Sequence, residues 1–484
     1  MPDLLTGFGV VAIVLLVAAL AAGLVDRAPL SFPLLFLALG FLLGPSGLGL
    51  LHLDAHDPTL EAIAVLNLAL VLFLDAVKLQ LDELGRDWTI PVLALGPGTL
   101  LIIALVAGAA LLLLQLPPVH ALLLGALLAS TDPVVLRDVV RDPRLPRAVR
   151  QALSVEAGTN DLVVLPLVLV LLAVARGRAG SPTEWAVFLA QVFVLGPVVG
   201  FAIGGAGSWL MMRVDAALGV RREYQALYGL GLVLAAYTGG VAAGGDGFLA
   251  AFAAGAAITV LDHELCDCFL EYGEVTAEMA MLLAFILFGA VLSTLLGTVP
   301  LGRALLLALL TVFVARPLAL GVVLARARLS PSGKALVAWF GPRGLNSLLF
   351  ALLAVRAGLP DGEQLLALAG VVVLVSVAAH GCSATPVAAW YARQRARRTL
   401  AEEREETAAD LFRPAEGVVP RIAPAELAAR LASPAPPLVL DVRGAAARAR
   451  DPVQVPGSVP VPPDAITRWA AEQPARRPVV TWCT

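Results

Sequence analysis

Apolar stretches of roughly twenty residues, the length a helix needs to cross a bilayer, recur along this sequence from Leu4 to Trp390. About thirteen can be placed, at 4–26, 29–51, 60–80, 91–116, 119–140, 152–175, 184–212, 223–242, 247–262, 277–297, 302–327, 334–357 and 364–391. The chain is 59% apolar and 15% charged, whereas a soluble domain is nearer half apolar and a quarter charged. It therefore reads as an all-α polytopic membrane protein of the transporter or channel class. The first run is read as a span and not as a cleaved leader, because Met1-Pro2-Asp3 lacks a basic opening and the run is long enough to cross.

A net charge of −3 conceals an asymmetry that sets orientation. After odd-numbered spans lie Arg27, Lys78, Arg86, the cluster Arg137, Arg141, Arg144, Arg147 and Arg150, then Arg213, Arg221, Arg222, Arg326, Arg328, Lys334, Arg393, Arg395, Arg397 and Arg398. After even-numbered spans stand only Arg176, Arg178, Arg303 and Arg356. The positive-inside rule puts the N-terminus outside and the C-terminus in the cytoplasm, with the chain in a cell inner membrane. The acidic loop from Asp262 to Glu278 falls on the same inner side, and the rule gives no account of it. Three segments follow: an embedded domain over 1–398, a charged linker over 399–430, and a cytoplasmic tail of ordinary polarity over 431–484.

The embedded part reads as two halves of six spans around a linking seventh. The fifth and twelfth spans are both interrupted midway, by Ser130-Thr131-Asp132-Pro133 and by Gly341-Pro342-Arg343-Gly344. Phe36-Leu37-Ala38-Leu39-Gly40 in the second span has a counterpart in Phe252-Ala253-Ala254-Gly255 of the ninth. A shift of seven spans inverts orientation, so the halves form inverted repeats. Matched interrupted spans point to a transporter's midplane site. Pro133 has no N–H, which frees the Ala129 carbonyl, and it disfavours helix at Asp132. Either the chain unwinds there and presents backbone carbonyls and the Thr131 hydroxyl to a cavity, or the proline only kinks a helix.

Ionisable groups cost about 2.5–3.5 kcal/mol each at the bilayer centre by insertion scales, so those inside spans need a reason. They are Asp75, Asp132, Glu156, Asp161, Arg316 and Arg343. Glu156 and Asn160 are four apart on one helix face, with Asp161 about 100° round from Asn160. A bare carboxylate in a low-dielectric cavity must be neutralised, and a proton and a desolvated cation compete for the same oxygens. That mutual exclusion is the essence of antiport. Arg343 needs an acidic partner, for which Glu156 is the first choice and Asp132 the second. Asp75 is either a further cation ligand or an acid near the cytoplasmic headgroups beside Lys78. Arg316, before Pro317, is read as structural, and His380 as a packing residue.

These motifs resemble the monovalent cation–proton antiporters of the sodium/proton exchanger type, the NhaP-like branch. The carriers are Thr131-Asp132-Pro133, Glu156 with Asn160-Asp161, and Gly341-Pro342-Arg343-Gly344 followed by Asn346-Ser347-Leu348, across nearly all of 1–398. The resemblance implies thirteen helices, a homodimer, and two crossed interrupted helices around the ion. It makes Asp161 the ion and proton carrier, Asn160 its neighbour, and Thr131, Asp132 and Asp75 further members of the ion site. Asp161, Asp75 and Thr131 would ligate a transported sodium ion, and Glu156 and Arg343 would form a structural ion pair. Asn160-Asp161 in place of a double Asp implies one-for-one, electroneutral exchange. Asp75 stands where the family commonly has Glu, and Ala157 where a hydroxyl ligand is frequent, which leaves potassium as the alternative cation.

The tail resembles the first part of a rhodanese domain. Leu438-Val439-Leu440-Asp441-Val442-Arg443 reads as a buried strand ending in Asp-x-Arg, Val455-Pro456-Gly457 as a turn, and Val479-Val480-Thr481-Trp482-Cys483 as the strand leading to a nucleophilic cysteine. Cys483, Asp441 and Arg443 are its matching residues. The thiolate would need a following loop of N–H groups, and the sequence stops at Thr484, so this small α/β tail is read as incomplete and the protein as a transporter rather than an enzyme. A channel would show a polar stripe along several helices. A sodium-coupled organic-anion symporter of related fold, the remaining alternative, would show substrate-binding Gln, Asn and Thr residues that are scarce in these spans. The expected partners are a monovalent cation, a proton and the lipid bilayer, without cofactor or nucleic acid.

Overall fold

The computed structural model describes residues 31–78, 89–132, 147–177, 180–261, 263–327, 329–397, 424–432, 436–441, 455–461 and 479–482, with isolated residues elsewhere. The first expected span, 4–26, lies outside them except for isolated residues. The chain divides into two compact units, Met1–Ala408 and Ala409–Thr484.

Among the described residues of the first unit, eight helices are long and apolar enough to cross a membrane: Pro58–Lys78, Ile90–Leu114, Val149–Ala175, Pro182–Leu218, Arg222–Ala242, Tyr272–Thr298, Leu301–Arg326 and Gly362–Tyr391. Four shorter apolar helices, Phe32–Leu43, Pro118–Leu127, Gly247–Leu261 and Leu345–Arg356, lie at further expected spans. The segment read as an acidic loop is instead helical, since one helix runs unbroken over His263–Leu295. Its residues before the apolar run are mostly helix formers without proline, and Glu274 within it bridges Lys78 at 3.1 Å. Pro182–Leu218 is the least buried of the long helices and turns Val187, Val194, Val198, Phe201 and Trp209 outward. In water such a stripe would be a liability; against lipid tails it is the ordinary condition of a spanning helix.

Close packing between helices rests on small residues, which let backbones approach where no hydrophobic force separates helix from lipid. Gly200 and Gly204 lie against the backbone at Ala250 and Ala254, so a Cβ at either glycine would strike those residues. The Phe32–Leu43 helix packs on His263–Leu295, and Gly247–Leu261 packs on Pro58–Lys78. In the first pair Gly40 meets the Ile286 carbonyl, and in the second Gly255 meets the Phe73 carbonyl. Counted along the expected spans, these are the second with the tenth and the ninth with the third. A shift of seven turns one pair into the other with partners exchanged, so one contact is made twice.

Both expected interruptions are present. The helix Pro118–Leu127 ends before a non-helical stretch over 130–132, and Pro331–Trp339 and Leu345–Arg356 are separated by a non-helical stretch over 340–344. A wide π turn at Thr311–Ala315 precedes Arg316 and Pro317, whose missing N–H loosens the ladder there.

The second unit holds a helix, Pro424–Leu431, and a parallel three-stranded sheet with Leu438–Asp441 at its centre. Val459–Pro460 and Val479–Trp482 flank it, with Leu440 opposite both Val459 and Thr481. Asp441 is buried at the end of the central strand. Cys483 and Arg443 lie outside the described residues.

The close contacts generate a contrast. Gly40→Leu drives a side chain into the Ile286 backbone and is expected to lower stability by about 1–3 kcal/mol or more. Gly108→Ala enters open space and is expected to be neutral or stabilising by up to about 1 kcal/mol. Thermal unfolding of the two variants in detergent, compared with the unaltered protein, reads the difference.

Candidate functional site

The two non-helical stretches bind each other. The Asp132 N–H donates to the Pro342 carbonyl at 2.9 Å, and the Leu345 N–H donates to Asp132 Oδ2 at 2.9 Å. Asp132 thereby caps the helix Leu345–Arg356, whose first N–H groups lack helical partners and carry the positive end of its dipole. A Cβ at Gly344 would collide with this carboxylate, and one at Gly341 with the Arg316 guanidinium. The Gly-x-x-Gly spacing thus makes room for two charged groups.

The opposite ends are capped by arginines. The last carbonyls of a helix have no intrahelical donor and form its negative end. Beyond Pro118–Leu127, the carbonyls of Ala129 and Ser130 accept from Arg343 Nη1, the second at 3.0 Å. At the end of Pro331–Trp339, the carbonyls of Val337 and Phe340 accept from Arg316 Nη2 at 3.1 and 2.7 Å. The Trp339 carbonyl is 3.0 Å from His380 Nε2, which gives the packing residue of the sequence reading a polar task. Arg343 is tied further through its N–H, which donates to Ser376 Oγ at 2.7 Å.

The structure corrects the ion pair. Glu156 is bound by Arg316 and not by Arg343: Nη1 and Nη2 of Arg316 donate to Oε1 and Oε2 at 2.6 and 2.9 Å. The physical reason is division of labour. A planar guanidinium can hold a carboxylate with two parallel bonds, and Arg316 does so while capping one half-helix. Arg343 instead donates through Nη1 to backbone carbonyls of the other, and its Nη2 has no hydrogen-bond partner among the described residues.

Asp161 lies on the helix Arg147–Ala175 and is 1% exposed. Its Oδ1 accepts from the Ser130 hydroxyl at 2.6 Å, and its Oδ2 accepts from the Asn346 amide nitrogen. One donor comes from each interrupted span. Thr131, Asp132 and Asn160 are likewise buried. Thr131 Oγ1 and Asn160 Oδ1 have no hydrogen-bond partner among the described residues, so two oxygens are left for a guest. Asp75 is 2% exposed, inside the protein, and Lys78 one turn on reaches Glu274. Asp75 Oδ2 is also unpartnered among the described residues. Its helix packs against those carrying Asp161 and Asn346.

Ser130, Asn346 and the pairing role of Arg316 were not assigned from sequence. Ser130 and Asn346 stand inside quoted motifs, and their polarity in apolar surroundings was the available signal. Arg316 stood out as a charge within an apolar span, but its partner lies 160 residues away in sequence.

A family profile described as sodium/hydrogen exchanger, transmembrane, matches residues 12–390. The K(+)/H(+) antiporter NhaP of Alkalimonas amylolytica is 27% identical over 387 residues, covering 79% of this chain and 66% of that relative. The K(+)/H(+) antiporter NhaP2 of Shewanella sp. (strain ANA-3) is 27% identical over 381 residues, covering 77% and 64%. The chain spans just under two thirds of the length of these relatives. Among solved structures, the sodium proton antiporter MjNhaP1 from Methanocaldococcus jannaschii has the same fold, with a TM-score of 0.64 at 22% identity over 81% of this chain and 98% of that one.

The corrected pairing is open to a double-mutant cycle. Arg316→Ala leaves Glu156 buried without its cation and is expected to cost about 3–5 kcal/mol. Combined with Glu156→Gln it is expected to cost less than the sum of the single changes, by about 0.5–3 kcal/mol. Arg343→Ala with Glu156→Gln is expected to be nearer additive. Unfolding in detergent measures both cycles, and the larger coupling in the Arg343 cycle would restore the other pairing.

Proposed function

Because the chain belongs to the sodium/hydrogen exchanger family, we propose that it is a multi-pass secondary antiporter that exchanges one monovalent cation for one proton at Asp161. The carrying observation is the state of that carboxylate. It is buried where two interrupted spans meet, and its described partners are a hydroxyl and an amide, neither of which carries a charge. Both buried arginines are committed elsewhere, Arg316 to Glu156 and Arg343 to backbone carbonyls. The unpartnered oxygens of Thr131, Asn160 and Asp75 offer the hard ligands that an alkali cation takes.

Sodium is the first reading, in line with the structural neighbour named a sodium proton antiporter. Potassium is the second, supported by relatives named K(+)/H(+) antiporters. Either ion, or a proton, neutralises Asp161 alone, so exchange is one for one and electroneutral. The assembly we propose has about thirteen spans, an outer N-terminus, a cytoplasmic C-terminus, an inner-membrane location and two copies of the chain. It needs no cofactor. We further read 1–398 as the transport domain, 399–430 as a linker and 431–484 as a rhodanese-like tail with no enzymatic role in transport; the parallel sheet around Leu438–Asp441 supports that likeness.

Proteoliposomes with sodium, potassium or lithium gradients and an internal pH dye test the reading. Asp161→Asn is expected to abolish cation-driven proton movement in protein that still folds; substantial residual exchange would remove Asp161 as carrier. The unaltered protein is expected to exchange at a rate independent of a clamped membrane potential. A rate rising systematically with one sign of potential would show net charge transfer and defeat the one-for-one stoichiometry.

A further inference from the structure

Asp161 is held asymmetrically, and the two sides differ in chemistry. Oδ1 faces the Ser130 hydroxyl at 2.6 Å. A hydroxyl donates or accepts by rotation about its C–O bond, so it serves the carboxylate and the carboxylic acid equally. Oδ2 faces the amide nitrogen of Asn346, which only donates. A proton on Oδ2 would confront an N–H, while a proton on Oδ1 asks only that the Ser130 hydroxyl turn. The proton therefore belongs on the Ser130 side.

A cation on the Oδ2 side confronts the same amide N–H and is repelled by it. An amide, however, carries a carbonyl oxygen on its other arm, and half a turn about χ2 exchanges the two. Asn346 is 3% exposed, so bulk water does not compete for the position it would vacate. It opens the helix Leu345–Arg356, whose first N–H is fixed on Asp132, which holds its Cα in place while the side chain turns.

Resting on the antiport reading above, we propose that Asn346 is a cation-site residue that trades places with the transported ion: its amide nitrogen holds Asp161 Oδ2 when the site is ion-free, and its carbonyl oxygen joins Asp161 as a ligand when a monovalent cation binds. Ser130 serves the proton side only. No bond is broken in the exchange beyond hydrogen bonds, and the charge change stays on Asp161.

The discriminating quantity is the ratio of apparent KM values for sodium and potassium. Proton competition at Asp161 affects every cation by the same factor and cancels from that ratio. A lost oxygen ligand does not cancel, since the ions differ in size and in the ligands they require. In proteoliposomes, Asn346→Leu is expected to change the sodium-to-potassium KM ratio by about tenfold, the scale of one hydrogen-bonding group on a charge, while Ser130→Ala leaves it unchanged. Asn346→Ala, which removes the amide with less risk to packing, is expected to move the ratio the same way. An unchanged ratio in the Asn346 variants, an equal change in Ser130→Ala, or loss of all exchange in both Asn346 variants with the fold retained would overturn the proposal. The unaltered protein in the same vesicles separates this from the reading beneath it: with no cation-driven proton movement there, antiport itself fails, whereas an active protein with an unmoved ratio defeats only the role of Asn346.

Discussion

Backbone that leaves the helix at membrane depth must find its hydrogen bonds inside the protein, since each orphaned group costs several kcal/mol there. Two such departures meet in this chain, and each repairs the other. Arg343, from one break, caps the carbonyls of Ala129 and Ser130 at the other. Asp132, from the second break, caps the N-terminus that the first exposes at Leu345. Arg316 closes the remaining end at Val337 and Phe340 while holding Glu156. Each interruption supplies hydrogen-bond partners that the other needs, so the two form one interlocked unit. Its by-product is the position of Ser130 and Asn346, which converge on Asp161 from opposite spans.

That unit needs a frame, and the frame is made of small residues. Gly40 on Ile286 and Gly255 on Phe73 set equivalent helix pairs at a backbone-to-backbone spacing that a side chain would forbid. Because the same contact is made twice with partners exchanged, the two helices bearing Phe73 and Ile286 are held alike. Gly200 and Gly204 perform the same service between Gly196–Leu218 and Gly247–Leu261. Side-chain volume is thus withheld where helices must approach and kept for the interior, where Phe285, Phe288 and Phe350 are fully buried.

Much of this was legible in the sequence, and the limits have a physical pattern. Hydrophobic length revealed the spans, and Pro133 with the Gly-Pro-Arg-Gly run revealed the breaks, because both signals are local. The acid at Asp161 was legible because a charge in an apolar run is costly and must be there for a purpose. Partner choice was not legible. Glu156 had two arginines to choose between, and the choice depends on the wide turn before Pro317 and on which carbonyls are orphaned, neither of which periodicity reports. The helical approach from His263 was missed because its charges resemble a loop when read by hydropathy, although it contains no proline to stop a helix. The donors on Asp161 were missed for a related reason. Ser130 and Asn346 sit 216 positions apart, and only the meeting of the breaks brings them to one carboxylate.

The buried charges of the membrane unit bear on what kind of guest the proposed site would accept. Among its described residues four carboxyl groups are buried, Asp75, Asp132, Glu156 and Asp161, against two guanidinium groups, Arg316 and Arg343. The two arginines answer one acid and two sets of helix carbonyls, and Asp132 answers a helix N-terminus. The acids left over are Asp161 and Asp75, the two whose helices pack beside the break. An excess of acid in a low dielectric is costly in every state except one in which positive charge enters. On the proposed reading an anion would add to that excess, and a neutral solute would not offset it. On the proposed antiport reading, a preference for positive guests follows from where the arginines lie: Arg316 holds Glu156 and Arg343 Nη1 holds backbone carbonyls, and neither is bound to Asp161.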